Sequence, residues 1–131
     1  MTKSVRIFVV DATLIHGPDI EQWRDAICPH TKIIFLESPS YPMLELVDIE
    51  AVSRLAHSVG AIVIEDNVFA TPMVQRPLAL GAGIVVYSAT KHIDGQGRCL
   101  GGVILVSNQY VKEHRHPFLG HTGPSLSPFN A

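Results

Sequence analysis

Charge is scarce in this chain. Lys, Arg, Asp and Glu make up 17% of its 131 residues, where about 25% is usual. Ten basic residues against twelve acidic ones leave a formal net charge of -2. A nucleic-acid binder needs clustered cations to displace counterions, so this balance argues against that class. Low charge fits a sheet covered on both faces, or surface meant for another subunit. Cysteine is nearly absent. Cys28 and Cys99 are too few for a disulfide framework and form no CxxC pair for a metal. Both read as free thiols in a reducing compartment. No apolar run approaches the ~18 residues of a transmembrane helix. Val5–Val10 is short, contains Arg6 and has no cleavage-like region after it, so it does not read as a signal peptide. The expected location is cytoplasmic, with no membrane partner. Internal repeats and low-complexity tracts are lacking too.

What is present is an alternation of short apolar runs with amphipathic segments, in a chain long enough for one domain. Val5–Val10 reads as a strand. Asp19 reads as a helix N-cap, with Gln22 placed as in a capping box. Ile20, Trp23 and Ile27 fall at helical spacing before Pro29. Lys32–Leu36 is a second strand. Asp48 caps the next helix, with Ile49, Val52, Leu55 and Val59 on one face and Gly60 at its C-terminal end. Ala61–Ile64 is a third strand, Pro77–Leu80 a short helical piece and Ile84–Tyr87 a fourth strand. Continuous apolar strands predict an α/β fold, a mostly parallel sheet with helices on both faces. Val103–Val106 is the exception. The polar, glycine-rich stretch Ser88–Gly102 has no helical period and is short for a parallel crossover, so this strand is expected to be antiparallel. The tail, His114–Ala131, carries His114, His116 and His121 without helical metal-ligand spacing and reads as loop.

In open α/β sheets, ligands bind beyond the carboxyl ends of the strands. Glu37 and Ser38 follow the second strand, Glu65 and Asp66 the third, and Ser88, Thr90 and Lys91 the fourth. Adjacent parallel strands would bring Asp66 and Lys91 onto one rim. A lysine can serve as a Schiff-base nucleophile, small hydroxyls suit phosphate oxygens, and an acid can hold a protonated ring nitrogen. Pyridoxal phosphate (PLP) chemistry asks for this set. Spacing alone leaves ordinary readings open: Lys91 as a solvated loop lysine, Asp66 as a turn residue, Ser88 and Thr90 likewise. His92 reads as a loop histidine, Trp23 as core, Cys99 as a buried rather than a reactive thiol, and Glu37 as either a site group or a backbone partner.

The words around these residues narrow the choice. VIEDNVFATP at Val63–Pro72, VVYSATK at Val85–Lys91 and ESPSYP at Glu37–Pro42 resemble the Cys/Met-metabolism (transsulfuration) family of fold type I PLP enzymes. The resemblance runs over nearly the whole chain. SATKHIDGQGRCLGG and HTGPSLSPFNA resemble its O-succinylhomoserine sulfhydrylase branch. It implies PLP as cofactor, bound covalently by Lys91, which also shuttles protons. Asp66 would face the pyridinium nitrogen, and Ser88 and Thr90 would hold the phosphate. Where the family has an asparagine beside the cofactor's phenolic oxygen, this chain has Tyr41, bulkier but still a donor. The implied activity replaces the succinate of an O-acylhomoserine by sulfide to give homocysteine, in methionine biosynthesis. Cystathionine γ-synthase, methionine γ-lyase and a non-catalytic remnant are the alternatives. The resemblance also implies a homo-oligomer. Residues 1–131 would form part of the large PLP-binding domain, lacking the family's N-terminal glycine loop and stacking tyrosine and its C-terminal small domain.

Overall fold

A computed structural model of the protein describes residues 10–115, 121 and 126–129. The strand expected at Val5–Val10 lies outside these residues save for Val10, and so does most of the tail, including His116.

The first described helix, α1 (Ile20–Ala26), starts where Asp19 accepts the N–H of Glu21 at 3.1 Å. Gln22 takes part in the cap, but not as a capping box. The N–H of Asp19 is already bonded to the carbonyl of His16, so Gln22 reaches one step further back: its Oε1 accepts the N–H of His16 and its Nε2 donates to Asp19. Trp23 is buried, and its indole N–H donates to the carbonyl of Gly17 at 2.8 Å. This satisfies the polar end of a core aromatic. The longer helix, α2 (Ile49–Ser58), is capped by Asp48, which accepts the N–H of Ala51 at 2.9 Å. Ile49, Val52 and Ala56 are buried along one stripe, and Gly60 ends the helix at φ +74°. Each fully buried Ile or Val here contributes roughly 1.5–3 kcal/mol.

Four strands follow this frame: β1 (Ile33–Glu37), β2 (Ile62–Asp66), β3 (Ile84–Ser88) and β4 (Gly102–Val106). Their order in the sheet is β1-β2-β3-β4. The first three are parallel, and β4 runs antiparallel to β3, as expected for a connection without a crossover helix. Burial alternates along the parallel strands. Ile34, Leu36, Val63 and Val85 join Trp23 and the α2 stripe in the core. On the opposite face Ile33 and Phe35 are more than 60% exposed, and Ile62 and Ile104 are also open.

Each parallel strand extends past its expected end, taking in Glu37, Glu65, Asp66 and Ser88, because these polar residues keep the backbone ladder. Between β2 and β3 lie a four-residue helix, α3 (Thr71–Val74), and a 3-10 turn at Pro77–Leu80. The segment after β3 also departs from expectation. Ala89–Ile93 forms one wide helical turn, closed by Asp94 N–H to Ala89 O at 2.8 Å. A single turn is too short to display a period in the sequence. After β4, Ser107 caps a helical segment, α4 (Asn108–Tyr110), by accepting the N–H of Tyr110.

Candidate active site

Parallel pairing sets the site. Asp66 is the last residue of β2 and pairs with Val86, two positions before the end of β3. Ser88 closes β3, and Thr90 and Lys91 follow at once in the wide turn. Asp66, Ser88, Thr90 and Lys91 therefore occupy one edge of the sheet, on neighbouring strands. Lys91 is exposed, and its backbone departs from helical geometry at φ -85°, ψ -108°.

Asp66 behaves in part as the turn residue it could have been. Its Oδ1 accepts the N–H of Val68 at 3.1 Å, which leaves Oδ2 for a ligand. Ser88 does not cap the turn that follows it. Thr90 is tethered: its hydroxyl accepts the N–H of Gly101 at 3.0 Å and lies 3.4 Å from the Gly101 carbonyl. A threonine hydroxyl has one proton and two lone pairs. Thr90 can therefore keep the Gly101 N–H and turn its proton to an anionic oxygen. The loop beyond Lys91 is organised by Asp94, which accepts the N–H groups of Arg98 at 2.7 Å and Gln96 at 3.3 Å. Those contacts, the Arg98 backbone first, hold the Asp94 carboxyl below its ordinary range. His92 is exposed. Cys99 is half-buried, with its thiol 3.9 Å from Asp94, and Cys28 is an exposed free thiol.

Tyr41 sits in the loop after β1. Its ring stacks on Phe69 with centroids 5.5 Å apart and planes 3° from parallel. Phe69 follows Asp66 by three residues, so this stack joins the Tyr41 loop to the Asp66 loop. Glu37 accepts the backbone N–H of Tyr41 at 3.1 Å, so of its two expected readings it takes the backbone one. His114 packs its ring at 4.7 Å from that of Tyr110.

Glu65 does not join Asp66 on its face. Successive strand residues face opposite sides of a sheet, and Glu65 is fully buried with the core residues. Burial pushes its carboxyl up to about 8; Asp66 and Glu37 add to the rise, and the Ser38 N–H opposes it. Around it lies a polar cluster of Ser38, Asn67, Gln75 and Tyr87, of which the sequence had placed only Ser38 beyond a strand end. The available signal was a carboxylate inside an apolar strand, which breaks the pattern.

The donor set at the edge is chemically coherent. It holds a primary amine for an aldehyde, a carboxylate for a protonated ring nitrogen and two hydroxyls for phosphate oxygens. These are the groups PLP needs, so the residues present fit that cofactor.

A family model described as Cys/Met metabolism PLP-dependent enzyme matches residues 1–131. An O-succinylhomoserine sulfhydrylase from Mycobacterium tuberculosis is 51% identical over 93% of this chain and 30% of its own length. An L-methionine gamma-lyase from Fusobacterium nucleatum is 38% identical over 100% of this chain and 34% of its own. Among solved structures, metB from Corynebacterium glutamicum superposes with a TM-score of 0.84 at 38% identity, covering 89% of this chain and 30% of that one. The chain thus spans about a third of the length of the relatives it matches.

Proposed function

Because this chain belongs to the Cys/Met metabolism PLP-dependent enzyme family, we propose that it carries the lysine site of an O-succinylhomoserine sulfhydrylase. The observation that carries this reading is the shared edge of β2 and β3, with the Asp66 carboxylate on one strand end and the Lys91 amine just past the next. Identity above 50% to relatives of that name supports the branch.

In this reading Lys91 would hold PLP covalently and would then take and return the substrate's α-proton. Asp66 would accept the ring N–H through Oδ2, its Oδ1 being bonded to Val68. Ser88 and Thr90 would donate to the phosphate, Thr90 while keeping its Gly101 tether. Tyr41 would donate to the phenolic oxygen. When bound, PLP would supply an electron sink for the α-carbon of the substrate. In the net reaction the γ-carbon–oxygen bond breaks and succinate leaves. Sulfide forms the new carbon–sulfur bond, giving homocysteine. The substrates are small molecules, and a homo-oligomer is the expected assembly.

The test is uptake and turnover by the purified protein. Lys91→Ala is expected to abolish covalent PLP, read by absorbance after borohydride reduction, together with nearly all homocysteine formation from O-succinylhomoserine and sulfide. Asp66→Ala loses a hydrogen bond to a charged group, worth ~1.5–3 kcal/mol, about 10- to 100-fold in cofactor affinity. Unchanged covalent uptake in Lys91→Ala would refute the assignment. A second reading, methionine γ-lyase, is favoured by the methionine γ-lyase relatives; thiol release from methionine without sulfide use would select it. Covalent uptake with no turnover of either substrate would identify a non-catalytic remnant.

A further inference from the structure

The site described above uses Asp66 and leaves its buried neighbour unexplained. Glu65 Oε1 accepts the backbone N–H of Ser38 at 3.0 Å, and Oε2 has no partner among the described residues. Ser38 is itself 1% exposed, and its hydroxyl accepts the N–H of Val47. The amide nitrogen of Gln75 donates to the Ser38 carbonyl at 2.8 Å and to Asn67 Oδ1 at 2.9 Å, and lies 3.5 Å from Glu65 Oε1. Asn67 in turn donates to the Tyr87 hydroxyl at 2.9 Å. One buried network thus joins the exits of β1 and β2 to β3. Each exit carries a residue of the proposed site: Tyr41 after β1, Asp66 at the end of β2, Ser88 at the end of β3 and Lys91 just past it.

A space-filler would not look like this. An apolar side chain of similar volume would fill the same position with no orphaned oxygen and no bond to Ser38. We propose that Glu65 is a positioning residue, a buried clamp that holds the Ser38–Pro42 loop against the carboxyl end of β2 and so fixes Tyr41 relative to Asp66. The clamp stands on its own hydrogen bonds; its effect on PLP rests on the cofactor reading above.

Its protonation follows from its surroundings. The charged groups acting on it are Asp66 beside it and Glu37 on β1, both carboxylates. The buried residues of α2 are uncharged, and the Tyr87 hydroxyl reaches it only through Asn67 and Gln75. The carboxyl is therefore mostly neutral at pH 7. Among the described residues its charged form meets one backbone N–H and no cation.

The experiment compares wild type, Glu65→Gln and Glu65→Leu by amide hydrogen exchange at Ser38, corrected for intrinsic rates, and by PLP affinity. Glu65→Leu is expected to lower Ser38 protection and PLP affinity at least tenfold while the Val63 and Val85 amides stay protected. Glu65→Gln, a neutral isostere, keeps both at pH 7. If Glu65→Leu fails to fold, Glu65→Val, an apolar β-branched residue suited to a strand, takes its place in the same comparison. Ser38 protection retained in the apolar variant, or lost in Glu65→Gln, overturns the clamp. Protection lost with PLP affinity unchanged overturns the positioning role. The Ser38 readout involves no cofactor, so it separates failure of the clamp from failure of the PLP reading, which the Lys91→Ala uptake assay decides.

Discussion

At the scale of single residues, two neighbouring carboxyls differ because one peptide unit turns them to opposite faces. Asp66 keeps an oxygen for a ligand; Glu65 is sealed in the core. This difference should appear in the pH dependence of stability. The folded Glu65 carboxyl titrates at about 8, against 4.5 for an ordinary glutamate. The folded form therefore keeps a proton that the unfolded form releases. The resulting stabilisation is complete below about 4.5, declines as pH rises, and is gone above about 8. Glu65→Gln removes this dependence. Chemical denaturation of both proteins at several pH values should give curves that converge toward pH 4.5 and separate toward pH 8, with the glutamine variant the more stable at the upper end. Parallel curves would show that Glu65 does not titrate in this range.

At the scale of elements, backbone geometry sets the costs. Gly81 ends the Pro77–Leu80 turn at φ +98°, and a Cβ there would lie 2.8 Å from the Cβ of Ser53 on α2. Gly60 also has a positive φ, +74°, but open space around it. Gly81→Ala should therefore destabilise by about 1–3 kcal/mol, and Gly60→Ala by less; thermal or denaturant melts of the two compare them directly. Equal losses would mean that the α2 contact yields without cost. These elements also show what a sequence can carry. Asp19, Asp48 and Gly60 announce helix ends because their chemistry is local. The antiparallel β4 was legible because residues 89–101 are polar and glycine-rich and carry no helical period for a crossover helix. The strands' true ends were not, since ladder bonds at Glu37, Asp66 and Ser88 depend on partners far along the chain. The placement of Asp66 and Lys91 on one edge follows from strand order, which motif order anticipated. The Glu65–Ser38–Gln75–Asn67–Tyr87 network was hidden, because it joins residues from four segments and no periodicity marks it.

At the scale of the whole molecule, the sheet face opposite the α1–α2 layer is the less covered one among the described residues. Ile33, Phe35, Ile62 and Ile104 lie open opposite the α1–α2 layer, and exposed apolar patches of this kind favour association. A low charged fraction, 17%, adds little repulsion. Phe35, 63% exposed, is the largest of the four. The chain by itself is expected to self-associate at micromolar concentration, and Phe35→Lys to weaken that. Sedimentation velocity across a concentration series measures it; an unchanged distribution in the lysine variant would acquit this face. The antiparallel return of β4 has a consequence in time. The register Ile33↔Ile62 spans roughly twice as much chain as Ser88↔Gly102. A doubling of loop length costs about 0.6 kcal/mol of closure entropy, a factor of about three in the odds of meeting, and the parallel pair must also wait for α2 to form between its strands. The β3–β4 hairpin is therefore expected to form first. In pulse-labelled refolding its amides should gain protection before those shared by β1 and β2. The amine of the site is then held in its turn while the strand that brings the carboxylate is still searching for its place.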